Sequence, residues 1–79
     1  MVHIKVAVMH ITFNNTRYHE HNVMSEWCEQ HFGEGKWIGE QYPKDWQGLP
    51  NWTIHSMFGN TTFAFKNKKH YNWFILRWQ

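Results

Sequence analysis

The stretch His19-Glu20-His21, followed by Cys28 and His31, gathers the residue types that coordinate metals or carry acid–base and nucleophilic chemistry. Imidazole and thiolate are good Zn²⁺ ligands, and structural zinc sites are usually four-coordinate. On a helix that begins before residue 20, Cys28 and His31 are neighbours at i, i+3, and His21 lies on the same helix. The spacing argues against a metal. No C-x₂-C pair and no H-E-x-x-H signature occurs, and Cys28 falls in an apolar stripe beside Trp27. These residues are expected to be a buried thiol among exposed histidines, with no metal and no cofactor.

The same residues make a poor active site. Cys28 and His31 are neighbours on one helix face, which does not by itself make the water-excluded pocket that nucleophilic catalysis needs. Glu20, Glu26, Glu29, Glu34, Glu40 and Asp45 are spread over a polar helix side and a loop, where solvation accounts for them. "GEGKWIG" lacks the preceding strand and following helix of a phosphate cradle. No enzyme is expected.

Composition narrows the classes further. Aromatic residues make up 19% of the chain and include six tryptophans, more than a core of this size needs, so some rings are expected at the surface. A formal charge of +2 falls short of the basic stripe that gives dedicated DNA-binding domains their affinity. The seven histidines can add positive charge as the pH falls toward their unperturbed pKa of about 6.5. The lone cysteine cannot form an intramolecular disulfide, which suits a reducing cytoplasm. The N-x-T triplets at Asn14, Asn51 and Asn60 are expected by chance in an Asn-rich chain. "MVHIKVAVM" has neither the apolar core nor the cleavage site of a secretory signal, and no run reaches the ~18 apolar residues of a membrane span. The expectation is a soluble, cytoplasmic protein with no membrane contact.

Stepping along the chain, Val2, Ile4, Val6 and Val8 alternate with His3, Lys5 and Ala7, the period of a strand. The apolar set then shifts by one to Met9, Ile11 and Phe13, which signals a bulge or a strand end. "NNT" offers N-cap chemistry at Asn14, Asn15 or Thr16, with Asn22 the cap of a shorter alternative helix. Val23, Met24, Trp27, Cys28, His31 and Phe32 recur at helical spacing up to Gly33. Residues 33–51 hold most of the glycines and both prolines and are expected to be a mobile loop, with a short strand-like piece at Trp37 and Ile38. "WTIHSMF", "GN" and "TTFAF" read as a hairpin turning on Gly59-Asn60, with Trp52, Ile54 and Phe58 on one face of the first strand and Phe63 and Phe65 on one face of the second. "HYNWFILRW" fits a central strand apolar on both faces. It equally fits a short helix capped by Asn67, with Tyr71, Phe74 and Ile75 on one face and "ILRW" finishing as a strand.

The tail "FAFKNKKHYNWFILRW", preceded by "EWCEQHFGEGKW", resembles a group of small accessory proteins of tailed bacteriophages whose ends read as F-x-F, a polar cap, a short helix, then F-x-L-R/K-W. The likeness covers about half the chain, and the chain has "KHYNW" where that group commonly has an Ala-rich turn. The resemblance implies a terminal helix and a phage accessory role, with no chemistry attached. With that helix, residues 1–79 are expected to form one α+β domain: a ferredoxin-like sandwich with an antiparallel sheet, one main helix and one short C-terminal helix. The alternative is one helix on a plain four-stranded meander.

Two functions then compete. Trp37, Tyr42, Trp46 and Trp52 cluster around Pro43 and Pro50, and with Trp73 they are candidate anchors for a protein partner, because aromatic rings bury large area with little rotamer entropy to lose. The leading expectation is a non-catalytic accessory protein that binds and modulates a host or phage protein in the host cytoplasm. The runner-up is weak single-stranded nucleic-acid binding, with Phe63 and Phe65 stacking bases beside Lys66, Lys68, Lys69 and Arg77.

Overall fold

The structure, a computed structural model, describes residues 9–79. These form a compact α+β domain in the order β1 (Met9–Phe13), α1 (Tyr18–Phe32), β2 (Lys36–Trp37), β3 (Trp52–Met57), β4 (Asn60–Phe65) and α2 (Lys68–Trp78). The expected strand over Val2–Val8 lies outside the described residues. The sheet has the order β1-β4-β3-β2. β4 pairs antiparallel with both β1 and β3, whereas β2 runs parallel to β3. The sheet is therefore mixed, which corrects the expectation of an antiparallel one. A ferredoxin-like sandwich runs βαββαβ. Here, among the described residues, three strands rather than two stand between α1 and α2.

Strand alternation sends Ile11, Trp52, Ile54, Phe63 and Phe65 to one face, and both helices cover that face. α1 contributes Met24, Cys28 and Phe32 to the core, and α2 contributes Phe74, whose ring lies 4.9 Å from Phe63 and 5.0 Å from Phe65. The buried side of α1 is rotated from the expected stripe: His21 is buried, while Val23 and His31 are exposed. α2 is capped as expected, the Asn67 side chain accepting from Lys69 N at 2.8 Å. It then stays helical through Trp78, so "ILRW" is not a strand. The preceding F-x-F strand already has β1 and β3 as neighbours on its two sides, and the tail instead buries Phe74 over it.

The "NNT" segment does other work than capping. Arg17 occupies the α1 N-cap with no side-chain hydrogen bond, while Thr16 donates from N and Oγ1 to the Gly59 carbonyl at 2.6 and 2.9 Å. Asn15 N donates to Asn60 Oδ1 at 3.2 Å, so the segment ties the start of α1 to the hairpin. At the other end, Gly33 closes the helix as expected, at φ 87. The carbonyls there are satisfied from a distance: Trp52 Nε1 donates to Gly33 O at 2.8 Å and Asn51 Nδ2 to Phe32 O at 3.2 Å. Gly35 packs against the Trp52 indole, and a Cβ there would overlap the ring's Cδ2, Cε2 and Cζ2 atoms. Gly35→Ala is therefore expected to destabilise the fold by about 1–3 kcal/mol or more, read as a lowered urea midpoint.

The second face of the sheet is covered as well. Thr53 and Ala64 point away from the helices and are fully buried. Residues 38–50 lie across this side: Tyr42 stacks on His10 at 4.2 Å, Gln41 Nε2 donates to Thr12 Oγ1 at 3.2 Å, and His55 Nδ1 donates to the Ile38 carbonyl at 3.0 Å. Pro43 is fully buried. The expected loop thus forms a third layer, held to a threonine-rich strand face that offers hydroxyls rather than apolar area.

Candidate functional site

The residues that suggested metal or acid–base chemistry do not converge. Cys28 is fully buried, and desolvation by burial pushes its thiol far above the ordinary range, which makes it a poor nucleophile. His31 sits on the exposed side, donates from Nδ1 to the Trp27 carbonyl at 2.8 Å and stacks on Trp27. His21 is buried and shares a hydrogen bond of 3.4 Å with Thr61 Oγ1. Among the described residues, no group of three His, Cys, Asp or Glu side chains could hold a metal ion.

The expected aromatic anchors separate into different environments. Trp52 is a core residue and a cap for α1, so its assignment to a partner surface is corrected: its backbone is in β3, where alternation turns the ring under the helices. Tyr42 and Trp46 are half-buried in the covering layer. Trp37 is 54% exposed at the β2 edge, with its ring 5.6 Å from that of His21. Trp73 is 49% exposed on α2 beside Trp27 and His31.

The stacking platform of the nucleic-acid reading is also corrected. Phe63 and Phe65 are 0% exposed because their face of β4 is the one α2 packs on. The basic residues Lys66, Lys68, Lys69 and Arg77 are exposed, but Arg77 lies 4.1 Å over the ring of Trp78. Among the described residues, no open aromatic sheet face stands beside them.

The hairpin turn holds a residue that sequence reasoning missed. Met57 pairs with Asn60, so the two central residues are Phe58 and Gly59, at φ 53 and 79. Positive φ at both positions is the type I′ pattern, which prefers Asn-Gly. Phe58 departs from that preference and is 93% exposed, beside the half-exposed Met57. These two side chains form the lip of a groove of about 410 Å³ on the second sheet face, lined otherwise by polar groups including Thr12, Gln41 and His55. Trp37 stands apart from this turn: it pairs with Ile54 in mid-β3, and its ring meets His21 of α1 on the helix-covered side of the sheet. The signal in the sequence was "MFGN": a two-residue turn centred on Phe-Gly frees the phenylalanine from the strand face where alternation had placed it.

No family model, curated protein or solved structure matches the chain.

Proposed function

We propose that the protein is a small non-catalytic module that binds another protein through the exposed Phe58 at the hairpin end, as an accessory protein of the phage type acting on a host or phage protein in the host cytoplasm. The observation that carries this reading is Phe58. A left-handed backbone costs an L-residue about 1–2 kcal/mol, and full exposure returns nothing to the core. Strain kept at a fully exposed aromatic is the pattern expected of a contact residue. Met57 beside it extends the apolar surface, and exposed aromatic rings of this kind dominate protein interfaces. The chemistry-bearing residues, by contrast, are dispersed, which supports a role without catalysis.

Phe58→Asn separates binding from folding, because Asn-Gly is the favoured pair for this turn. The substitution is expected to stabilise the fold by about 1 kcal/mol, seen as a higher melting temperature. Parent and variant would then be used as bait in native-cell extracts with and without nuclease. A protein captured by the parent, retained after nuclease and lost with Phe58→Asn, supports the reading. Equal capture by both baits would sink the role of Phe58. A partner lost with nuclease would favour nucleic acid and the Lys66, Lys68 and Lys69 cluster.

A further inference from the structure

The helical layer carries a second exposed apolar surface, distinct from the hairpin end. α1 and α2 run antiparallel: Phe32 stacks on His70 at 4.4 Å near one end of the pair, and Trp27 meets Trp78 at 6.2 Å toward the other. Along their outer seam lie Val23 and Trp27 from α1 and Trp73 and Leu76 from α2, and Leu76, in the last turn of α2, is 84% exposed. Beside them an apolar groove of about 330 Å³ opens between Val23, Phe13 and Trp78. Isolated exposed leucines are ordinary, but a contiguous seam spanning two helices marks an interaction site.

The charges of the two helices select the occupant: by helical spacing Glu20 and Glu26 flank Val23 and Trp27, and Lys69 and Arg77 flank Trp73 and Leu76. α1 carries Glu20, Glu26 and Glu29 and no lysine or arginine, whereas α2 carries Lys68, Lys69 and Arg77 and no carboxylate. We infer that this face binds a second copy of the chain, as a two-fold dimer with its axis parallel to the helices. That operation lays α1 of one copy over α2 of the other and keeps the lengthwise register. Leu76 of the second copy then falls opposite Val23 and Trp27, and its Arg77 opposite the end of α1 that carries Glu20. A two-fold axis across the helices would instead set acidic α1 on acidic α1 and basic α2 on basic α2. Isologous pairing of this kind needs one self-complementary patch and closes at two subunits. Two short helices offer an area near the small end of specific interfaces, about 1,000 Å² in total, so association should depend on concentration.

Sedimentation equilibrium of the full chain, from low micromolar to submillimolar concentration, tests this. A monomer–dimer equilibrium is expected, weakened by salt. Leu76→Glu should leave the far-UV circular dichroism and melting temperature unchanged and weaken dimerisation more than about tenfold, the loss expected at an interface hot spot. Glu20→Arg and Arg77→Glu should each weaken it, and the double variant should recover it. A monomer at every concentration overturns the inference, as does a dimer indifferent to Leu76→Glu. Association that survives Leu76→Glu but is lost with Phe58→Asn would place the self-contact at the hairpin end instead.

Discussion

Phe74→Ala is expected to remove about 3–5 kcal/mol of stability, the cost of emptying a large aromatic site in a packed core. The ring is fully buried and meets Phe63, Phe65, Phe13, Trp27 and Trp78, so five aromatic neighbours face the void together. Small domains hold about 5–15 kcal/mol in all, which makes this one change a large share of the total. Trp73→Ala, one residue earlier, removes a larger side chain yet should cost only about 1 kcal/mol, because half its surface is already in water. Urea unfolding followed by circular dichroism measures both. Equal losses at the two positions would mean that α2 is rotated from the orientation described.

Trp52→Ala should cost a similar 3–5 kcal/mol, and for two reasons that can be separated. The indole fills the core against Phe63 at 6.2 Å, and its Nε1 satisfies the Gly33 carbonyl at the end of α1. Trp52→Phe keeps much of the packing and loses the hydrogen bond, for an expected cost of about 1–2 kcal/mol. The contact with Gly35 adds a coupling test. Gly35→Ala clashes with the ring in the parent, but in the Trp52→Ala background the space is open and the substitution should be close to neutral. Additive effects would show that Gly35 and Trp52 are not in contact.

How much of this was legible in the residues follows from the range over which each feature is determined. The alternation of Ile54, Phe63 and Phe65 placed the buried sheet face, the Asn67 cap started α2, and Gly33 ended α1, because each rests on side chains within a few residues of one another. The turn was misplaced by one residue, since "MFGN" admits two registers and only the pairing of Met57 with Asn60 chooses between them. That single step moved Phe58 from the core face to the tip of the hairpin, 93% exposed.

What only the tertiary structure decided concerns partners distant in sequence. "HYNWFILRW" is apolar enough for a central strand or a helix, and the outcome turned on β4 having its two strand neighbours in β1 and β3. Trp52 looked like a loop aromatic free to meet a partner until the end of α1 was brought beside it. Residues 38–50 read as a loop because glycine loses backbone entropy in regular structure and proline lacks the N–H donor, but local composition does not say what a segment lies against. Here the second sheet face presents Thr12, Thr62 and His55, and Gln41 and the Ile38 carbonyl bond to that polar row across gaps of 17 to 29 residues. Local steric and capping preferences are written residue by residue. The choice among apolar surfaces is made by whichever long-range contact buries more area and satisfies more backbone, and one chain's order of residues does not state that in advance.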